Sequence, residues 1–406
     1  MRYTFFDCEI DTDTQEVRSA GIPTRVEPQV FDLLRHLAEN PNRVISRDEL
    51  IETVWCGRIV SESAISSRIN AARKAIGDDG TRQAAIKTIS RRGIRLTAPV
   101  QRHVQAPAME ISDRLDREPT ATPDHIQTVR FSRAADGTKI AFARFGSGPP
   151  LVRVGHWMTH LEHDWHSPIW RPFLGELGNS FTVLRYDQRG NGLSDRDPED
   201  LSLPAFVGDL EAVIDAAGLD RFAIYASSQG VPVALDYASR HADRLTCLVL
   251  HGGFFKGRLL RSAAEREEGE AYLALMRHGW AAEGSQFLQA FASIFVPDGT
   301  TEQLRSLVEL QKITVAREMA VQLRQTFDGF DVSDRLGAVK VATLVLHARN
   351  DGVHPLHHGL EMAAALPNAE FVVLESRNHV FVQHEPAWAE FFTTVRRFVR
   401  AHAEAS

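Results

Sequence analysis

What most constrains this chain is a stretch that has no pattern. From Gln101 to Asp124, three prolines (Pro107, Pro119, Pro123) stand among charged and small residues, with Met109, Ile111 and Leu115 scattered between them. No helical or strand period persists there long enough to build a core. Periodicity is strong on either side, so the chain is expected to fold as two bodies, residues 1–100 and 125–400, joined by a linker at 101–124. With 43% apolar residues, wholesale disorder is excluded. No apolar run approaches the ~20 residues a membrane helix needs, and runs such as Val341 to Leu346 are strand-length. The opening residues lack the apolar stretch of a signal peptide. Cys8, Cys56 and Cys247 lie too far apart for a disulfide framework or a compact zinc site. A cytoplasmic location with no membrane partner and no cofactor is therefore expected.

The net charge of −7 argues against nucleic acid as a partner until it is divided by region. Residues 1–57 carry six basic and eleven acidic residues, whereas residues 58–97 carry nine basic and three acidic. A basic half beside an acidic half is what a duplex-binding face needs, because phosphate contacts supply most of the affinity.

Helix signals sharpen this. Glu27-Pro28 starts one helix, Val30, Leu33, Leu34 and Leu37 form its buried stripe, and Asn40-Pro41 stops it. Ser46-Arg47-Asp48-Glu49 is a capping box that opens a second helix, with Leu50, Ile51, Val54 and Trp55 facing inward. A third helix, from about Ser61 to Ile76, sets Ile65, Ile69, Ala72 and Ile76 on one face. Its other face carries Ser63, Ser66, Ser67, Asn70, Arg73 and Lys74, all able to donate to phosphates or base edges. Two short strands, Ala85–Ile89 and Ile94–Leu96, then flank a tip that contains Arg91 and Arg92. Upstream, Tyr3 to Ile10 and Glu16 to Ser19 read as strands. Arg35 and Arg43 read as solvated.

This order of strands, three helices and a basic hairpin resembles the OmpR/PhoB-type winged-helix DNA-binding domain. The likeness rests on Val44-Ile45-Ser46-Arg47-Asp48-Glu49-Leu50 with Val54-Trp55, on the helix from Ala64 to Ile76, and on Ile86 to Leu96. Ile94 departs from the aromatic residue usual after the glycine. The resemblance implies double-stranded DNA as a partner and paired half-sites read by a homodimer. Response regulators of that family carry a phospho-acceptor receiver ahead of this module; here the module starts at residue 1, so no receiver is expected and any signal is expected to enter through the second body.

Residues 125–400 alternate strand-like and helical runs, the pattern of a mostly parallel sheet with covering helices. Eight strands are expected: Gln127–Ser132, Lys139–Phe145, Leu151–Val154, Thr182–Tyr186, Phe222–Tyr225, Leu245–Leu250, Thr343–His347 and Glu370–Leu374. The strand from Phe222 runs into Ala226-Ser227-Ser228-Gln229-Gly230 and a helix. A nucleophile elbow needs a strained serine with small residues two places either side, which Ser228 has in Ala226 and Gly230. Ser227 would place Tyr225 and Gln229 there and is disfavoured. Asp351 and His379 each follow a later strand. His379 is suited to take the proton from Ser228, and Asp351 to orient the imidazole and stabilise its cation.

The chain order Ser228, Asp351, His379 and the strand pattern resemble the α/β-hydrolase fold over essentially the whole second body. Further likeness lies in Arg185 to Asp195, and a likeness to hydrolase-like domains fused to signalling modules lies in His160 to Trp165 with Pro168-Ile169-Trp170. The resemblance implies an eight-stranded sheet with a helical lid at about residues 253–330. It implies an oxyanion hole from the backbone N–H of Gln229 and of Trp157, where Gly155-His156-Trp157 replaces the usual His-Gly. His156, His160, His163 and His166 read as pocket-flanking rather than metal-binding, and His354, His357 and His358 show no clear ligand geometry. Phe287, Phe291 and Phe295, with Met276, Trp280 and Phe254-Phe255, favour a mostly apolar ligand under the lid. Two readings lead over a third, a protein-interaction adaptor whose winged helix makes protein contacts. One is a transcription regulator whose hydrolase-fold domain senses, and with a working triad also cleaves, a small apolar ester or acyl ligand. The other is a serine hydrolase that uses its winged helix only for recruitment.

Overall fold

The structure is a computed structural model. It describes the chain except residues 1, 7, 13–15, 20–21, 25, 56–59, 61, 79–81, 90–91, 99, 104–125, 282–285 and 404–406, and except the side chains of residues 2, 22, 23, 28, 62, 63 and 101–103. The chain divides into two compact units, Met1–Arg117 and Glu118–Ser406.

The first unit opens with strands β1 (Arg2–Phe5), β2 (Cys8–Asp11), β3 (Glu16–Ser19) and β4 (Ile22–Thr24). The run Tyr3 to Ile10, expected as one strand, is a hairpin that turns at Phe6, whose φ is +48°. Three helices follow: α1 (Pro28–Glu39), α2 (Arg47–Val54) and α3 (Glu62–Ala75). Their apolar stripes pack into one core that includes Leu33, Leu37, Leu50, Ile65 and Ala72. Ser46 Oγ accepts from the Glu49 N–H at 3.1 Å, as the capping box predicts. The Glu49 carboxylate instead takes His36 Nε2 at 2.9 Å and the guanidinium of Arg43, which the sequence had left in solvent. Arg35 likewise meets Asp32, at 3.3 Å.

Strands β5 (Ile86–Ile89) and β6 (Gly93–Leu96) form the hairpin, and Ile45 bridges Ile94 to tie it to the helices. Ile94 is buried, so the aliphatic residue fills the place of the usual aromatic. Gly93 is required: its φ is +133°, and an added Cβ would meet Ile45 O at 1.9 Å. Strand β7 (Gln101–His103) then pairs antiparallel with β1 and joins the N-terminal sheet, although the sequence assigned these residues to the linker. The rest of the expected linker, from residue 104, lies outside the described residues.

The second unit holds eight strands: β8 (Thr128–Arg133), β9 (Lys139–Gly146), β10 (Pro150–Arg153), β11 (Thr182–Tyr186), β12 (Phe222–Ser227), β13 (Leu245–His251), β14 (Thr343–Ala348) and β15 (Ala369–Leu374). They form one sheet in the order β15-β14-β13-β12-β10-β11-β9-β8. Strands β8 and β9 pair antiparallel, as do β9 and β11, and every other neighbouring pair is parallel. Short helix α4 (Leu161–His166) and α5 (Trp170–Gly178) follow β10, and α6 (Leu203–Ala216) and α7 (Gly230–Arg240) bracket β12. Four helices stand between β13 and β14: α8 (Ala263–Gly279), α9 (Phe287–Phe295), α10 (Thr301–Thr314) and α11 (Arg317–Asp328). They occupy the span expected for a lid. Helices α12 (Leu356–Ala365) and α13 (Pro386–Ala403) complete the unit, and Phe173 of α5 packs edge-on against Phe392 of α13. Among the described residues no helix is long and apolar enough to cross a membrane.

Candidate functional site

In the second unit, the parallel strands deliver three loops to one end of the sheet. At the end of β12, Ser228 adopts φ +52°, a conformation a non-glycine residue rarely takes unless its surroundings impose it. Its N–H donates to His251 O at 3.0 Å, and its carbonyl accepts from the Val231 N–H at 3.1 Å. Gly230 must be small, because a Cβ there would come within 2.6 Å of Gly155 O. The hydroxyl of Tyr225 pairs with His251 Nδ1 at 3.1 Å, and Ser227 lines the same cavity as Ser228 without the left-handed backbone of the elbow.

Asp351 follows β14 and His379 follows β15. Asp351 Oδ2 lies 2.7 Å from His379 Nδ1, while Oδ1 accepts from the N–H of Val353 at 2.8 Å and of His354 at 3.0 Å. Burial opposes the Asp351 charge, but His379 and these donors outweigh it and hold the carboxyl below its ordinary range. The acid therefore stays ionised beside an imidazole whose tautomer it sets. Ser228, Asp351 and His379 are all buried, and Ser228 and His379 line one cavity.

Around Ser228, the backbone N–H groups of Trp157 and Gln229 have no acceptor among the described residues. Trp157, Ser228 and Gln229 together line a second, smaller recess. His156, three residues beyond β10, bonds the guanidinium of Arg153 and also pairs its Nδ1 with Trp157 O at 3.0 Å. Burial and the Arg153 charge keep it well below the usual histidine range, so it is neutral and orients the Trp157 loop.

The cavity is mostly apolar. Trp170, Phe173 and Phe381 line it from the core, and Phe291, Phe295 and Leu310 from the lid. Of the expected aromatic stripe, Phe291 and Phe295 reach the cavity, whereas Phe287, Met276 and Trp280 pack into the unit's main core, Trp280 edge-on against Trp157. Two lining atoms, His251 Nε2 and Gln311 Oε1, are buried with no partner among the described residues. Burial, with the His379 charge, lowers His251 to about 3. Both residues escaped the sequence reading, since a strand-end histidine and a mid-helix glutamine carry no motif.

The Arg185–Asp195 run acts as scaffold. Arg185 Nη1 meets Asp164 at 3.1 Å, Arg189 bonds both Asp209 and Asp136 at 2.7 Å, and Asp187 accepts from the N–H of Leu161 and of Leu193. These bonds lock α4 and the loop after β11 beside the cavity mouth. His160, His163 and His166 line an open groove with Glu302 and Glu309 rather than converging. The grouping that does converge among the described residues is Glu265, His357 and His358, whose ligand atoms lie within 4.8 Å of one another. There Glu265 already pairs with Arg261 at 3.2 Å and His358 at 3.0 Å.

In the first unit, a groove runs between α3 and the β5–β6 hairpin. It is lined by Arg47, Ser66, Asn70, Arg73, Thr88 and Arg92, among others. Ser66, Ser67, Asn70, Lys74 and Arg92 are exposed. The side chain of Ser63 and residue Arg91 lie outside the described residues. Arg73 departs from the expectation. It is buried, donates from Nε and Nη2 to Ile86 O at 3.1 and 3.0 Å, and from Nη2 to Thr88 Oγ1 at 2.8 Å. Its guanidinium ties α3 to the hairpin. Helical period alone places it on the polar face because its acceptors lie 13 and 15 residues onward. Arg47, at the start of α2, was not among the expected contacts, yet it is exposed in the groove wall.

Comparisons with known proteins agree with both halves. Residues 21–96 match the family model described as "Transcriptional regulatory protein, C terminal", and residues 161–282 match the alpha/beta hydrolase fold. The transcriptional activator CadC of Escherichia coli is 35% identical over 86 residues, 21% of this chain and 17% of that protein. A non-heme haloperoxidase of Rhodococcus erythropolis is 26% identical over 272 residues, covering 61% of this chain and 92% of that protein. Among solved structures, the esterase EaEST from Exiguobacterium antarcticum superposes with a TM-score of 0.56 at 23% identity, covering 66% of this chain and 98% of its own.

Proposed function

We propose that this chain, which joins an OmpR/PhoB-type domain to an α/β-hydrolase domain, is a cytoplasmic transcription regulator that reads a small, mostly apolar acyl or ester ligand. The observation that carries the reading is the apolar, lid-covered cavity that opens onto Ser228 and the His379–Asp351 pair. Such a cavity admits a ligand by its apolar surface and fixes it by a few polar groups. The DNA face is the groove beside α3, with Ser66, Ser67, Asn70, Lys74, Arg47 and Arg92 as its contacts and Arg73 as the residue that positions them. Ser63 and Arg91 extend the same set. Two copies bind paired half-sites, and ligand occupancy changes how they engage DNA.

The same centre supports ester hydrolysis. Ser228 Oγ attacks the ligand's carbonyl carbon as His379 takes its proton, and the oxyanion is held by the N–H of Gln229 and of Trp157. The carbon–oxygen ester bond then breaks, and His379 returns the proton to the departing alcohol. Water repeats the sequence on the acyl-serine and releases the acid. Asp351 keeps the imidazole oriented and stabilises its transient charge.

The test pairs a reporter gene under a promoter selected by the protein with esterase assays on short-chain esters. Ligand-dependent reporter output that survives Ser228→Ala supports sensing as the main task. Rapid Ser228-dependent turnover with an indifferent reporter would instead make the chain a hydrolase that is merely localised by its first domain.

A further inference from the structure

Ser228 faces two spaces. One is the apolar cavity. The other is the smaller recess, where Ser228 and Gln229 meet Arg324, Asp328 and His354. Arg324, on α11, is more than nine-tenths buried. Its Nε donates to Asp328 Oδ2 at 2.7 Å, but its Nη2 is buried with no acceptor among the described residues. An unpaired guanidinium N–H in a dry site is costly, and it persists where something else supplies the acceptor.

The surroundings favour a negative one. Tyr272 lies between two guanidinium groups, with Arg258 and Arg324 each 5.6 Å from its ring centre. Asp328 offsets Arg324, but the carboxylate nearest to buried Arg258 is Glu268, 3.7 Å away and more than half exposed. With Arg261, whose side chain is also largely buried, three guanidinium groups stand against the buried carboxylates of Asp328 and Asp351, so the buried charge beside the recess leans positive. Burial, with the charges of His379, Arg261 and Arg258, also holds His354 well below the usual histidine range, so no further cation competes for the anion.

We propose that the ligand has two arms about its acyl carbon: an apolar arm in the lid cavity, and a short arm ending in a carboxylate that Arg324 Nη2 binds in the recess. The inference rests on the ligand-binding reading above and narrows it to amphipathic acyl compounds. A guanidinium is suited to this because one nitrogen holds Asp328 while another addresses the ligand. Arg324 is thus a specificity residue, separate from the triad.

The experiment uses the full chain with Ser228→Ala, so that no probe is consumed, and isothermal calorimetry with three probes. These are hexyl hydrogen succinate, hexyl 4-oxopentanoate and hexyl pentanoate, which share the apolar arm and differ in the short arm's end. The succinate is expected to bind roughly tenfold tighter than the pentanoate, with the ketone between them. Adding Arg324→Lys keeps a cation for Asp328 but removes the spare nitrogen, and should shrink the preference to about twofold or less while pentanoate affinity holds. If Arg324→Lys proves unstable, the neutral pair Arg324→Gln with Asp328→Asn should abolish the preference. Equal affinity for succinate and pentanoate before Arg324 is changed overturns this inference and leaves the apolar pocket standing, as does a ketone that binds as tightly as the acid. Failure of all three probes to bind overturns both readings.

Discussion

The Ser228 centre buries every side chain it relies on, whereas the groove between α3 and the β5–β6 hairpin leaves most of its donors in water. The chemistry of the two sites accounts for the contrast. A serine nucleophile gains from fixed partners in a dry pocket, where electrostatic interactions are strong and little reorganises during reaction. A phosphate-reading face works through mobile, solvated cations whose value lies in the counterions they displace. Arg73 is the exception that sharpens the comparison, a basic residue spent inside the DNA-binding unit to hold its shape.

The largest expected effect lies in the buried centre. Ser228→Ala should lower ester turnover by roughly 10³-fold or more while DNA affinity stays the same; parallel kinetics and fluorescence anisotropy would show it, and substantial residual turnover would move the nucleophile elsewhere. Next comes Gly93→Ala. The backbone at Ile45 blocks a Cβ, so the hairpin must shift, and DNA binding should fall by an order of magnitude or more while esterase kinetics are untouched. A loss of both activities would mean that the units do not behave separately.

Arg73 and Lys74 are neighbours in sequence with opposite roles, so they make a paired test. Arg73→Ala leaves Ile86 O and the Thr88 hydroxyl without their buried donor, which should cost about 1–3 kcal/mol of stability. DNA binding should weaken with it, at an unchanged salt slope. Lys74→Ala should leave stability intact and reduce the salt slope of DNA binding by about one. Reversed slopes for the two variants would contradict the assignment.

Acidity should separate the units more gently. Burial depresses His156, His251, His354 and His358, the last to about 4 with help from the Arg261 charge. The unfolded chain takes up protons at these positions below about pH 6.5 while the folded chain resists, so stability falls as pH drops through that value. Each histidine still neutral in the fold contributes about 1.4 kcal/mol per pH unit to that loss. The DNA-binding unit buries no histidine among its described residues. Hydrogen exchange from pH 7 to 4.5 should therefore show the hydrolase-fold unit loosening first, and equal loosening would argue against this cause.

Much of this contrast was legible in the sequence. All eight strands of the large sheet were: the buried parallel ones announce themselves as apolar runs, and the antiparallel β8–β9 pair by its Asp136-Gly137 turn. The small-residue frame around Ser228 was as well, since an elbow tolerates little else. Less legible were short edge pieces such as β4 and β7, whose three residues carry no period of their own. Surroundings that only the fold creates were hidden too. Arg324 and Asp328 look like an ordinary surface pair at helical spacing, and only the fold shows them buried beside Ser228 with a donor to spare. Arg43, in the loop before α2, is exposed as expected, and only its pairing with Glu49 was missed.

The central claim is that what occupies Ser228 governs how the chain binds DNA. An alkyl p-nitrophenyl phosphonate, verified by mass spectrometry as an adduct on Ser228, fills the pocket permanently. Anisotropy on a DNA site selected by the protein from a random pool, at fixed salt, then reads the consequence. The adduct should change DNA affinity several-fold in the wild-type chain, and the reagent should leave the Ser228→Ala protein unchanged. A stoichiometric adduct on Ser228 with identical DNA affinity before and after would contradict it.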